Sequence, residues 1–272
     1  MSIKVIINAD DFGLSKQVSE DIIKCVEAGS ITSISILPLK ENIEFSLSLL
    51  EKINIDTGLH FYLTDFIPVS EQIRTVFTEP LTTRKLIAHL VIGKITERHI
   101  YYELSKQWEI LESQGLSLSH ISVHRQLNAI PKINKVLLQF AKERNVFVRM
   151  PSLAWCVPNP LSSLVKKINT KLNKSLINKG LPVVPSVSIF EKCSVDFDLN
   201  DYVSILRNAG SELVSLIVHP IRLTNCMSQN KTFCRISHRE HEIFTSTSIA
   251  EFLRNQGFEP IGYRDISSSS HI

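Results

Sequence analysis

An apolar run ends in two adjacent aspartates in the stretch Lys4-Val5-Ile6-Ile7-Asn8-Ala9-Asp10-Asp11-Phe12-Gly13. A run of Val and Ile without helical spacing predicts a buried strand, and the glycine marks the turn that follows it. Adjacent carboxylates at a buried strand end are costly unless a cation, a donor network or a shared proton accompanies them. Either aspartate could instead cap the helix expected to begin near Ser15, so this stretch alone leaves both interpretations open.

Histidines close three further predicted strands. His60 follows the short strand that begins at Asp56, His124 ends the alternating residues 119–124, and His219 ends an apolar run just before Pro220. A lone histidine in an apolar stretch is more often a core residue than a ligand. Three of them together with an aspartate pair form a pattern, because active sites of parallel α/β folds assemble at the carboxyl ends of the strands.

The composition limits the class of protein. The 272 residues, 43% of them hydrophobic, suffice for one large α/β domain over residues 1–272. The net charge of +3 and the lack of a basic stripe with aromatic residues argue against a nucleic-acid partner. No apolar run reaches the roughly 18 residues of a transmembrane segment. No basic n-region with a cleavage site precedes the first strand, so we expect a cytoplasmic protein.

The cysteines are five in number and scattered, and none lies in a C-x-x-C pair. This spacing argues against a thiolate zinc site and a disulfide framework, and it predicts free thiols. The cysteines are Cys25, Cys156, Cys193, Cys226 and Cys234.

Predicted strands and helices alternate along the chain. About seven strands in this order predict an α/β fold, a TIM-like (β/α) barrel that is irregular or one unit short of eight. The last strand is predicted at residues 260–263, and residues 65–83 are expected to form a loop.

Residues 159–184 interrupt this alternation. They predict an irregular helical segment with Lys166, Lys167, Lys171 and Lys174 opposite an apolar face that includes Leu172. Such a basic face can lie on an anionic membrane surface, or it can be the solvated side of a helix packed on the barrel. Peripheral membrane contact therefore stays open.

The residues at the strand ends predict a site for one divalent metal ion. Asp11, His60 and His124 are the candidate ligands, since catalytic zinc sites typically have three protein ligands and an open position for water. Imidazole favours zinc and carboxylate favours magnesium or manganese, so the ion is not fixed. Asp10 is the candidate general base and His219 the candidate general acid. A metal ion, a general base and a general acid together predict hydrolysis of an amide or ester.

Several blocks resemble the YdjC-like carbohydrate deacetylases. Residues 8–15, Asn-Ala-Asp-Asp-Phe-Gly-Leu-Ser, resemble the opening block of that family, and His120 to Gln126 resemble its histidine block. Further similarity lies in Gly29 to Ser33, Gly58 to Phe61 with Leu63 and Thr64, Pro131, Val218 to Pro220, Arg239 with Glu240, and Phe244 to Ser246.

The resemblance implies a barrel with fewer than eight regular units and metal-dependent removal of an acetyl group from an N-acetylated sugar or oligosaccharide. It implies that Asp11, His60 and His124 bind the metal, magnesium or zinc, and that Asp10 and His219 are base and acid. Arg149 matches a position that the family often fills with arginine, where it would contact the substrate or orient Asp10. The oligomeric state is open, with a homodimer as one option.

The departures from the family pattern concern the histidine block. Ser122 replaces an aspartate, Gln126 a histidine, and Asn128 a residue that is histidine in many members. Loss of a group that supports a ligand typically changes metal affinity or activity by about 10–100-fold. We therefore expect weakened metal binding. Pro38 to Lys40 stand where the family usually has a small polar stretch after the second strand, and this difference predicts a substrate other than a chito-oligosaccharide. A lipid-linked sugar as substrate and a non-catalytic carbohydrate-binding role are the alternatives.

Overall fold

The structure is a computed structural model that describes residues 2–51, 53–152, 161–192 and 194–266. Its strands are β1 (Ile3–Phe12), β2 (Ser33–Ile36), β3 (Asp56–Phe61), β4 (His120–Val123), β5 (Phe147–Arg149), β6 (Val183–Val184), β7 (Ser186–Ser188), β8 (Leu213–Val218) and β9 (Phe258–Pro260). Its helices are α1 (Lys16–Glu27), α2 (Ile43–Ser48), α3 (Glu71–Arg74), α4 (Thr83–Val91), α5 (Glu97–Glu112), α6 (Pro131–Arg144), α7 (Leu161–Asn178), α8 (Leu199–Arg207), α9 (Lys231–Ser246) and α10 (Ile249–Asn255).

The strands form one parallel sheet in the order β6-β5-β4-β3-β2-β1-β8-β7, with β9 paired beside β1. The strands at the two edges of this sheet, β6 and β7, are consecutive in the sequence, and only Pro185 separates them. The sheet is thereby nearly closed into a TIM-like α/β barrel surrounded by helices, which confirms the predicted fold. Proline has no N–H to donate to a ladder, so it divides one extended stretch into two short strands that pair on opposite sides.

Alternate residues of the strands point to opposite sides of the barrel wall. Val5 and Ile7 of β1 belong to the large apolar core, whereas Asn8 and Asp10 make polar contacts with other strands. Asp10 reaches Arg149 on β5, which is not a neighbour of β1 in the sheet. The barrel interior is therefore polar at its carboxyl end, and this polarity positions the site.

Two elements near the predicted boundaries differ from expectation. The last strand is Phe258–Pro260, and residues 263–265 form a 3-10 turn. The backbone N–H groups of Gly262 and Arg264 donate to the carboxylates of Asp265 and Asp56, so they are not available to extend β9. The ring of Tyr263 stacks on His120, with 3.9 Å between ring centroids. The expected loop at residues 65–83 contains the short helix α3, whose amino end is capped by Ser70.

The basic segment forms α7 and then β6. Asn159 and Pro160 lie outside the described residues. Lys167, Lys171 and Lys174 are exposed, but Leu172, which the sequence places on the apolar face, is also 45% exposed. Within the described ranges, no helix combines the length and the apolar character that crossing a bilayer requires.

The prediction of free thiols is wrong for two cysteines. Cys226, in the loop after β8, forms a disulfide with Cys234 in the first turn of α9. Their Cα atoms are 5.6 Å apart because α9 folds back over the loop that leads into it. Cys25 is a free, buried thiol whose pKa burial raises. Cys156 and Cys193 lie outside the described residues.

Candidate active site

The carboxyl end of β1 is kinked at the aspartate pair. Asp11 has a φ of 66°, and the register of β1 with β2 shifts between Ala9 and Phe12. A left-handed conformation is unfavourable for a residue with a Cβ, and such strain is concentrated at functional sites. Neither aspartate caps α1, because the side chain of Ser15 does so by accepting a hydrogen bond from the backbone N–H of Val18.

Asp11, His60 and His124 meet at this end of the barrel. Asp11 Oδ1 lies 3.3 Å from His60 Nε2 and 3.4 Å from His124 Nδ1, and one ligand atom from each residue lies within 4.8 Å of the others. The contacts lack hydrogen-bond geometry, so this buried Oδ1 has no hydrogen-bond partner among the described residues. A buried carboxylate oxygen faced by two imidazole nitrogens is a fitting site for a divalent cation.

The residues of this group shift one another's pKa values. Burial alone would raise the pKa of Asp11, but the adjacent His124 and His60 outweigh it and hold that pKa well below its usual range. Burial likewise opposes protonation of His124, but contacts with Asp11 and Asp65 raise its pKa to about 9. Without a cation, the imidazole of His124 therefore neutralises its acidic neighbours.

Asp10 is held by a network of donors. Arg149 donates from Nη1 to Oδ1 and from Nη2 to Oδ2, both at 2.6 Å, and Asn8 Nδ2 donates to Oδ1 at 2.9 Å. Burial would raise the pKa of Asp10, but Arg149, His60 and His219 lower it to about 2. Of the two roles that the resemblance implies for Arg149, contact with Asp10 is present in the structure, and contact with substrate stays a prediction.

His219 lies beside Asp10 at the carboxyl end of β8. Its Nε2 is 3.8 Å from Asp10 Oδ2, and its backbone N–H donates to Glu240 at 2.7 Å. Phe190 and Phe233 contact the ring edge-on, with ring centroids 5.4 Å and 5.2 Å away. Burial lowers the pKa of His219 more than the nearby Asp11 and Asp10 raise it, so the ring is neutral at neutral pH.

A second layer of polar residues lies below Asp10 in the barrel. Asn8 donates to Ser35 Oγ at 2.9 Å, and Ser35 Oγ is 2.9 Å from His120 Nε2. Gly58 makes room for this ring, since a Cβ there would lie 2.4 Å from it. His120 therefore supports the site from within the barrel. His238 and His241 contact Glu242 and Asp21 respectively.

The sequence model of the family described as YdjC-like protein matches residues 4–255. The chain belongs to the YdjC-like family. A carbohydrate deacetylase of Brevibacillus brevis is 26% identical over 264 residues, which cover 97% of this chain and 99% of the relative. A chitooligosaccharide deacetylase of Salmonella typhimurium is 24% identical over 277 residues, which cover 96% of this chain and 98% of the relative.

A solved structure shares the fold of this YdjC-like chain. It is that of a proposed cellobiose-phosphate cleavage protein from Enterococcus faecalis V583, with a TM-score of 0.73 and 18% identity. The similarity covers 98% of this chain and 100% of that one. At this level of identity it supports the barrel architecture alone.

Two of the three departures from the expected family pattern, Ser122 and Asn128, make defined hydrogen bonds. Ser122 Oγ is 2.7 Å from His60 Nδ1, on the side of the ring that faces away from Asp11. Asn128 Nδ2 donates to the backbone carbonyl of Arg149 at 2.8 Å and so fixes the strand end that carries the arginine. Gln126 has a left-handed φ of 52°.

Asp65 is a site residue that the sequence prediction missed. Its Oδ2 lies 3.3 Å from His124 Nε2, on the side of that ring opposite Asp11. It lies in a stretch predicted to be a loop, where a single aspartate without periodic neighbours carries no signal. The pairing of β3 with β4 brings the loop that carries Asp65 beside His124, and spacing alone does not specify which residue of that loop reaches the ring.

Proposed function

We propose that this YdjC-like protein is a metal-dependent carbohydrate deacetylase, which hydrolyses the acetamide of an N-acetylated sugar to acetate and the free amine. The observation that carries this proposal is the convergence of Asp11, His60 and His124 beside Asp10 and His219. The names of the curated relatives support the reaction class and the sugar substrate.

Asp11, His60 and His124 would hold the ion, Mg²⁺ or Zn²⁺. Its fit is supported by the buried Oδ1 of Asp11, which faces both imidazoles without a hydrogen bond. When bound, such an ion supplies Lewis-acid catalysis, since it polarises the acetamide carbonyl and makes water more acidic. The two imidazoles direct one nitrogen each toward Asp11, which leaves the opposite nitrogens for groups that orient the rings.

Asp10 would orient the attacking water and accept its proton. Arg149 keeps this carboxylate ionised at neutral pH and fixes its plane through two hydrogen bonds. A carboxylate of so low a pKa is a weak base, and its fixed orientation is therefore as important as its basicity. Asn8 is a third donor, which bonds to Oδ1 of Asp10, and His219 lies near Oδ2.

His219 would protonate the departing amine. Its ring is neutral before the reaction, so it needs a proton to act as an acid. The proton that Asp10 accepts from water has a short path to it, because Asp10 Oδ2 and His219 Nε2 are 3.8 Å apart. Transfer to the amine then breaks the C–N bond and returns both residues to their starting states.

A lipid-linked N-acetylated sugar is the second candidate substrate. It is favoured by the exposed Lys167, Lys171 and Lys174 on α7, which form a basic face. Anionic lipids attract such a face, and salt weakens the attraction. Co-sedimentation with vesicles of phosphatidylglycerol that falls as salt rises would favour this substrate over a free oligosaccharide.

The test combines metal content with product formation. The wild type, loaded with Zn²⁺ or Mg²⁺, should release acetate from N-acetylated oligosaccharides. Asp10→Asn should bind the ion and release no acetate, whereas His124→Ala should lose the ion. Glu97→Gln, an exposed position paired with Lys135, is the control and should behave as the wild type. Loaded wild type that binds N-acetylated sugars without releasing acetate would contradict the proposal and favour a non-catalytic binding role.

A further inference from the structure

The ring of His124 lies between two carboxylates. Its Nδ1 is 3.4 Å from Asp11 Oδ1, and its Nε2 is 3.3 Å from Asp65 Oδ2. A neutral imidazole carries one proton, so only one of its nitrogens can have a free lone pair. The residue that accepts the proton of one nitrogen therefore decides which nitrogen is available to a metal ion.

Asp65 is itself fixed from several sides. Arg125 donates from Nε to Asp65 Oδ2 at 2.9 Å and from Nη2 to Oδ1 at 3.4 Å. Thr64 donates its hydroxyl to Oδ2 at 3.2 Å, and the backbone N–H of Asp65 donates to the carbonyl of Leu81 at 3.0 Å. This carboxylate is 34% exposed, yet it has a defined orientation toward the ring of His124.

The backbone conformation is unusual at both residues of the Asp65–Arg125 ion pair. Asp65 has a φ of 68° and Arg125 a φ of 57°, in the left-handed region that residues with a Cβ seldom adopt. These two residues form the ion pair beside His124. Strain at both partners of one contact indicates a functional constraint on that contact.

His60 has a weaker orienting group than His124. Its Nδ1 meets the neutral hydroxyl of Ser122, 2.7 Å away. His124, in contrast, is supported by a carboxylate, that of Asp65 in the loop after β3.

We propose that Asp65 is a positioning residue of the metal site. It accepts the Nε2–H of His124 and so directs the lone pair of Nδ1 toward the ion, while Arg125 holds Asp65 in place. In this chain it supplies the carboxylate support that Ser122 cannot give. The inference deepens the proposed function, because it rests on Asp11, His60 and His124 being the metal ligands.

The first measurement is the dissociation constant for Zn²⁺, obtained by competition with a chelator on the full chain. Asp65→Ala should weaken binding by about 10–100-fold, the usual range for groups that orient a ligand. Asp65→Asn keeps an acceptor oxygen without the charge and should show a smaller loss. In the zinc-saturated enzyme, the loss should be in kcat, with KM for the sugar little changed.

Glu112→Ala is the matched control, because Glu112 also forms an ion pair with an arginine, Arg144, on α6. It should leave the zinc dissociation constant unchanged. Circular dichroism would verify that each variant folds, and Asp65→Asn keeps the volume of the side chain if Asp65→Ala does not fold. Wild-type affinity in both Asp65 variants would overturn the proposal.

The second measurement determines which nitrogen of the His124 ring carries the proton. Long-range ¹⁵N–¹H NMR of the apoprotein above pH 9 should show the Nε2–H tautomer of His124 in the wild type and a mixture of tautomers in Asp65→Ala. An unchanged tautomer in the variant would overturn the positioning role even if zinc binds. Absence of zinc binding by the wild type would overturn the proposed function, and the tautomer would still decide whether Asp65 fixes the ring.

Discussion

Arg149 and Asp10 form a two-bond ion pair across the barrel interior, with both nitrogen–oxygen distances 2.6 Å. The two side chains are almost completely buried, and they come from strands that are not adjacent in the sheet. The pair therefore couples the closure of the barrel to the charge state of the proposed base. Removing one partner of a buried pair leaves an uncompensated charge, which is much more costly than losing an exposed pair.

Arg149→Met should lower the free energy of unfolding by about 3–5 kcal/mol at pH 7. It should also abolish acetate release, because the pKa of Asp10 rises and its plane is no longer fixed. Urea denaturation of the two single variants and of Asp10→Asn/Arg149→Met measures the coupling. The double variant should be more stable than the sum of the single losses predicts, and simple additivity would show that the pair is not coupled.

Metal binding should strengthen as pH rises. The pKa of His124 is raised to about 9, because Asp11 and Asp65 outweigh burial, so the ring is protonated at neutral pH without an ion. An ion must displace that proton, and affinity should therefore rise by up to about tenfold per pH unit below the pKa. Calorimetry in two buffers with different ionisation enthalpies should show release of close to one proton at pH 7. Equal affinity at pH 6.5 and 7.5 would contradict this prediction.

The residues that end strands could be predicted from the sequence, and the contacts between them could not. Asp10, Asp11, His60, His124 and His219 were predicted to meet because parallel strands bring their carboxyl ends to one rim, and the structure brings them together. The partners of these residues depend on ring orientation and barrel closure. Arg149 is 139 residues from Asp10, and no local pattern indicates that its side chain crosses the interior rather than facing substrate.

Irregular features were hardest to predict. Asp11 and Asp65 adopt left-handed conformations, which aspartate takes only occasionally and which no local sequence signal marks here. Pro185 divides a stretch that pairs with β5 before it and with β8 after it, and its position in the sequence does not specify these partners. The Cys226–Cys234 disulfide depends on the return of α9 over the preceding loop, which spacing does not specify.

Ser122→Ala should weaken metal binding by about 10-fold, at the lower end of the range for orienting groups. The hydroxyl of Ser122 is buried, and its removal leaves His60 Nδ1 without this partner. Ser33→Ala is a close control, because the hydroxyl of Ser33 is equally buried and has no hydrogen-bond partner among the described residues. Competition titrations with a chelator should separate the two variants, and equal affinities would show that Ser122 does not orient His60.

Glu240 should make stability depend on pH. Burial raises its pKa to about 8 from an ordinary value of 4.5, although the backbone N–H of His219 and the hydroxyl of Tyr202 lower it in part. Between these two values the folded protein holds a proton that the unfolded chain has lost. This group therefore lowers the free energy of unfolding as pH rises, by about 1.4 kcal/mol per pH unit at most, and contributes no further change above pH 8.

Glu240→Gln should remove this dependence. The amide resembles the protonated carboxyl, and its oxygen can still accept the N–H of His219, so the variant should match the wild type near pH 5. At pH 8 it should be more stable, because the wild type has to bury a charge or retain a proton that the unfolded chain releases freely. Urea denaturation at pH 5, 6.5 and 8 measures the difference, with Glu97→Gln as an exposed control. Parallel stability curves for Glu240→Gln and the wild type would mean that Glu240 is already ionised in the folded barrel.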